Sequence, residues 1–117
     1  MPHIEVLCFD RLPIRLFLKE NMVAIREALA PFIGYPMEEI GLFVSPKDPE
    51  LTDNMHPIEF LVNSGEKTVG VDDARAEEAM SAIVRRCPDI NQTPFAVWII
   101  GHGHNGFAVH QSAVHHV

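Results

Sequence analysis

Apolar residues recur along this chain in two periods, and the order of those periods repeats. Residues 3–9, His-Ile-Glu-Val-Leu-Cys-Phe, are rich in strand formers, with Ile4, Val6 and Cys8 on one face and Glu5, Leu7 and Phe9 on the other. Asp10-Arg11-Leu12 forms an exit loop, and Pro13 suits a first helical turn, where its missing N–H costs nothing. Leu18, Met22, Ile25, Leu29 and Phe32 then recur every three or four residues and predict a helix over about 13–32. Pro31 is expected to disrupt its last turn and Gly34 to cap it. A second strand is predicted at 40–44, followed by a polar surface connection over 45–54. Strand, helix and strand make a βαβ unit, whose strands run parallel with a right-handed crossover.

The plan then returns. A strand is predicted at 58–62, a loop to residue 70, and a helix that Asp72 or Asp73 caps and that runs to Cys87. Its stripe is Ala76, Met80, Ile83 and Cys87, Pro88 stops it, and a fourth strand follows at 95–100. Met1-Pro2-His3-Ile4-Glu5-Val6-Leu7 matches Met55-His56-Pro57-Ile58-Glu59-Phe60-Leu61 at an offset of 54, and the second strands lie about 55 apart. The match and the repeated order together predict an internal duplication. Asn105-Gly106 signals a type I′ hairpin turn, and 111–117 carries no assignable pattern. The expected architecture is α/β (α+β): tandem βαβ units forming a four-stranded mixed sheet, with two helices on one face and a C-terminal hairpin. It is read as one domain over 1–117, with repeats at about 1–45 and 56–101 and a hairpin and tail over 102–117.

Residues 95–100 are apolar on both faces, Phe95, Val97 and Ile99 on one and Ala96, Trp98 and Ile100 on the other. Such strands are normally buried on both sides. Two helices cover only one face of the sheet, so the other needs a cover. Another copy of the chain is the simplest candidate, and the tail folded back over the sheet is the alternative.

Charge narrows the partners. A net charge of −7, with nine Lys and Arg scattered along the chain, makes nucleic acid and anionic membrane surfaces poor partners. No apolar run is long enough to span a bilayer, and the N-terminus lacks the marks of a signal peptide, so a cytoplasmic location is expected. Cys8 and Cys87 make neither a disulfide framework nor a CxxC site. Five of the seven histidines, His102, His104, His110, His115 and His116, lie near the C-terminus. A two-residue turn at Asn105-Gly106 would place His102 and His104 with Phe107 and Val109 on one hairpin face and turn His110 away, opposite Gly101. Two histidines without a third converging ligand fall short of a zinc site, so no metal is expected. Gly101-x-Gly103-x-x-Gly106 opens a hairpin and offers no helix N-terminus to a phosphate, so no cofactor is expected either.

A strand beginning Met1-Pro2, a loop with Arg11, a long helix, the turn Gly34-Tyr35-Pro36 and a parallel strand together resemble the tautomerase superfamily. That superfamily includes 4-oxalocrotonate tautomerase, carboxymethyl-hydroxymuconate isomerase and macrophage migration inhibitory factor (MIF). The resemblance covers both halves, with residues 2–44 matching best. The run Ile-Glu-Val-Leu-Cys-Phe-Asp-Arg is similar to a small bacterial group of tautomerase-like proteins. It implies a homotrimer whose sheets line an inner barrel, and a small keto or enol carboxylate as substrate. It also implies that the amino-terminal proline acts as base, a role that falls on Pro2 once Met1 is removed. Burial lowers the basicity of an amine, because desolvation disfavours its cation. A neutral amine can then take a proton beside a carbonyl and return it elsewhere. Arg11 or Arg15 would grip the substrate carboxylate, and Phe107 would line the pocket as an aromatic does in short members. One departure is visible: the second arginine of short members falls at about Gly41. Read as residues alone, Pro2 is also a proline tolerated at the head of a strand, Arg11 and Arg15 are also surface arginines, and Phe107 is also a packing residue. Two functions follow: an isomerase of small keto or enol acids, or a non-catalytic oligomer that uses the same fold for binding or assembly.

Overall fold

The structure, a computed structural model, describes residues 2–65, 73–101 and 105–111. Five strands form one sheet: β1 (His3–Phe9), β2 (Gly41–Lys47), β3 (Ile58–Gly65), β4 (Phe95–Gly101) and β5 (Asn105–His110), in the order β2-β1-β3-β4-β5. Two helices, α1 (Leu12–Ile33) and α2 (Asp73–Arg86), provide the parallel crossovers from β1 to β2 and from β3 to β4. β1 and β3 meet antiparallel at the centre, so the sheet is mixed, and its topology is the α+β arrangement expected.

Both helices lie on one face. Leu18, Ile25, Ala28, Leu29, Phe32 and Ile33 of α1 and Ala76, Ala79, Ala82 and Ile83 of α2 pack over Ile4, Val6, Cys8, Ile58, Phe60, Val62, Phe95, Val97 and Ile99, all buried. Met22 and Met80 fall at the margins of their stripes and are half-buried. Gly34 ends α1 in the left-handed conformation, at φ 80°, with its N–H donating to the Ala30 carbonyl. Pro31 does not end the helix: α1 continues through it to Ile33, and Arg75 donates to the Pro31 carbonyl at 3.3 Å. Asp73 opens α2 and accepts the Phe107 N–H at 3.1 Å, which ties the helix to the outer edge of β5. Asp72 lies outside the described residues.

Three local expectations are corrected. β2 runs three residues further than 44, through Ser45, Pro46 and Lys47, because β1 offers partners as far as Phe9 and an edge strand tolerates Pro46. Asn105 and Gly106 are not a turn. They pair with Ile100 and Ile99 as the first residues of β5, a fifth strand of the same sheet. His110 therefore stands opposite Phe95 rather than Gly101, its ring 5.0 Å from the Phe95 ring on the helix-covered face. The placements of His102, His104, His115 and His116 lie outside the described residues. Among the described residues no three His, Cys, Asp or Glu side chains converge as metal ligands, and no helix is long and apolar enough to cross a membrane.

Candidate functional site

The face of the sheet opposite the two described helices mixes polar and apolar side chains. The ladder arranges them in cross-strand rows. Gly41, His3, Asn63, Ile100 and Asn105 form the row nearest the head of β1. Phe43, Glu5, Leu61, Trp98 and Phe107 form the middle row, and Ser45, Leu7, Glu59, Ala96 and Val109 the third. Lys47 and Phe9 lie beyond, where β1 ends. Phe43 is 46% exposed and Ile100 36%, so large apolar groups stand open here.

Two carboxylates interrupt this apolar surface, and each is held. Glu5 accepts the Ser45 hydroxyl at 3.0 Å. Glu59 accepts Trp98 Nε1–H at 2.9 Å through one oxygen and the backbone N–H of His56 at 3.0 Å through the other. The imidazole Nδ1 of His56 lies 3.6 Å from that second oxygen, an ion-pair distance rather than a hydrogen bond. The side chain of Glu59 is 12% exposed and that of His56 31%.

Pro2 is buried at the head of β1, with its carbonyl accepting the Gly41 N–H at 3.3 Å. Arg11 lies at the other end, where it precedes α1 and rests its guanidinium 5.4 Å above the Phe9 ring. Seven residues of β1 separate them, more than about 20 Å at about 3.3 Å per residue, so one chain does not bring Pro2 and Arg11 together. Arg15 donates to Asp10 at 3.3 Å and lines a cleft of about 540 Å³ with Leu12, Lys19, Met22 and Pro46. A second cleft, of about 430 Å³, opens between the start of α1 and Thr93. Neither is lined by Pro2. Phe107 lies against Trp98 in the middle row, with ring centroids 4.0 Å apart and planes tilted by 36°. Burial pushes the thiols of both Cys8 and Cys87 up, so both stay neutral and unreactive in the core.

Residue patterns alone did not single out the Trp98–Glu59–His56 arrangement. Its signal was nonetheless in the repeat: at an offset of 54, His56 stands where Pro2 stands and Glu59 where Glu5 stands.

No family model matches the chain, and no curated protein sequence matches it significantly. Solved structures do. A fused 4-OT wild-type asymmetric trimer superposes with a TM-score of 0.60 at 16% identity, over 97% of this chain and 98% of that one. Pt0534 inactivated by 2-oxo-3-pentynoate gives 0.62 at 12% identity, over 86% and 85%. A malonate semialdehyde decarboxylase gives 0.55 at 15%, over 85% and 83%. Identities this low establish the fold, which is the tautomerase/MIF fold.

Proposed function

We propose that this protein is a tautomerase-like isomerase of small keto or enol carboxylic acids, built as a homotrimer, with Pro2 as its proton-transfer base. The observation that carries the reading is a buried proline at the head of the interior strand β1, beside an apolar sheet face that neither described helix covers. Removal of Met1 would leave Pro2 a secondary amine in a desolvated setting, which favours the neutral, proton-accepting form. The base takes the enol proton and delivers it to the adjacent carbon, so substrate and product are isomers and no co-reactant is needed.

The carboxylate anchor has to come from another copy, because Arg11 and Pro2 occupy opposite ends of β1 within one chain. Three copies packed through their open faces would bury Leu7, Leu61, Trp98 and Phe107, and would bring one copy's strand exit towards its neighbour's strand head. A fused 4-OT forms a trimer and Pt0534 is inactivated by a 2-oxo acid. Those likenesses in fold support the assembly and the substrate class. Phe107, on the same face, would wall the pocket.

The test compares three proteins on phenylenolpyruvate: the form that has lost Met1, its Pro2→Ala variant, and a form with an uncleavable N-terminal extension. A terminal alanine keeps a primary amine, so Pro2→Ala retains reduced turnover. The extended protein, with an amide at Pro2, falls by about a hundredfold or more, the usual worth of a positioned proton-transfer group. Equal rates in the processed and extended proteins would remove Pro2 as the base. Rates no better than buffer in all three would favour the non-catalytic, assembly-only reading.

A further inference from the structure

We infer that the second half of the chain holds its own acid–base site, in which His56, at the position that corresponds to Pro2, supplies its imidazole as the base. This inference rests on the isomerase reading above and extends it to a second site for the same substrate class.

The ladder carries the relation. Residue i of β1 corresponds to residue i + 54 of β3, and Val6 pairs with Phe60, its own counterpart (60 − 6 = 54). The two-fold axis therefore passes through that pair. On the outer strands Glu5 pairs with Phe43 and Glu59 with Ala96, which makes the offset there 53 (96 − 43). Ser45 accordingly corresponds to Trp98. The hydrogen bond from Ser45 to Glu5 and that from Trp98 to Glu59 are thus one contact made twice, with different donors. The same operation carries Pro2 onto His56. The two halves read Pro2-His3-Ile4-Glu5 and His56-Pro57-Ile58-Glu59, with proline and histidine exchanged.

That exchange has a chemical consequence. An internal proline has no amine, so the second half cannot use the chemistry open to an N-terminal Pro2. Histidine is the side chain that can accept and return a proton near neutral pH without being terminal. Glu59 is fixed by two donors, Trp98 Nε1–H and the His56 backbone N–H, and its Oε2 lies 3.6 Å from His56 Nδ1. A carboxylate there stabilises the imidazolium formed once the ring takes a proton. Gaps of this length in an unliganded site commonly close when substrate binds. Cations stand at the same end of the sheet. The Phe9 N–H donates to the Pro57 carbonyl, the Asp10 N–H donates to the Lys47 carbonyl, and Arg11 lies over Phe9. His56 precedes Pro57 directly, so Arg11 and Lys47 lie at the same end of the sheet as the imidazole. A cation and the imidazole thus share one end of the sheet within a single chain, whereas Pro2 and Arg11 lie at opposite ends of β1. The ligand class is a small 2-oxo or enol carboxylate. The proton leaves the enol oxygen for the imidazole and passes from the imidazolium to the neighbouring carbon, with no net loss or gain.

The test uses the full-length protein with the uncleavable N-terminal extension, so that Pro2 is an amide and cannot contribute. Ketonisation of phenylenolpyruvate by this form should exceed buffer. His56→Gln should lower the excess by about a hundredfold, and Glu59→Gln by about tenfold, as expected for a base and for the charge that supports it. Benzoylformate, a 2-oxo acid that cannot enolise, should shift the His56 ring resonances in the extended protein. The shift should persist in Glu59→Gln and be weakened in Arg11→Ala. Circular dichroism and light scattering identical to the parent show that each variant is folded. An extended protein no faster than buffer, or one whose rate His56→Gln leaves unchanged, overturns the second site. If the processed protein is then still active, the Pro2 reading stands alone; if it is inactive too, both fall.

Discussion

At the residue scale, the contact that decides most on the open face is the one between Glu59 and Trp98. A carboxylate on a surface otherwise made of Leu7, Leu61, Trp98, Ala96 and Val109 loses hydration and needs donors in exchange. Trp98 Nε1–H and the His56 N–H supply them. Trp98→Phe keeps most of the ring and removes one donor. It should destabilise the protein by about 1.5–3 kcal/mol in urea denaturation, the usual worth of a hydrogen bond to a charged group. A change within about 0.5 kcal/mol, the range of ordinary surface substitutions, would mean that Glu59 is satisfied without the indole. Pro2 stood out in the sequence as a candidate because a proline directly after Met1 heads a strand. The Glu59–Trp98 contact was not legible there, because it depends on the register between β3 and β4, and two apolar strands can pair in several registers.

At the scale of elements, the strong periodic signals read correctly and the short-range turn signal did not. The stripe from Leu18 to Phe32 and the glycine after it specify α1 within about a residue at each end, since burial and cap agree. Gly34 sits at φ 80° with nothing within 4 Å of where a Cβ would be, so Gly34→Ala meets strain and no clash. The variant should lose about 1 kcal/mol, as expected for a non-glycine residue in the left-handed region, and unaltered stability would contradict that cap. The Asn105-Gly106 pair suggested a tight turn. The ladder instead extends through Ile100–Asn105 and the Phe107 N–H is taken by Asp73, so pairing and a tertiary anchor outweigh the local preference. The same pull from a neighbour lengthens β2, whose last residues pair with Leu7, Cys8 and Phe9.

At the scale of the whole molecule, the unbalanced sheet is the main physical fact. Helices bury one face fully, while the other offers Phe43, Ile100, Trp98, Leu61 and Phe107 to whatever packs there. This imbalance was legible in the count of helices against doubly apolar strands. What covers the face was not, because the alternation of apolar residues along a strand shows that a face is apolar and not what packs against it. Leu61 lies at the centre of the middle row, so Leu61→Arg should convert the proposed trimer to smaller or insoluble species, since an unpaired buried charge costs several kcal/mol. A Leu61→Arg variant that remains a soluble trimer by light scattering would show that this face is not the interface.

In the proposed trimer the Pro2 site is completed between copies, with the base from one chain and the carboxylate anchor from another. The most direct test of this sharing is complementation. The N-terminally extended protein, which lacks a free Pro2 amine, and the processed Arg11→Ala variant are each measured alone with phenylenolpyruvate, then unfolded together, refolded as a mixture and measured again. In a cyclic assembly, random mixing places an intact Pro2 beside an intact Arg11 in about a quarter of sites, so activity should rise well above the average of the two parents. A mixture that turns over no faster than that average, although light scattering shows mixed assemblies of normal size, would contradict a Pro2 site shared between chains.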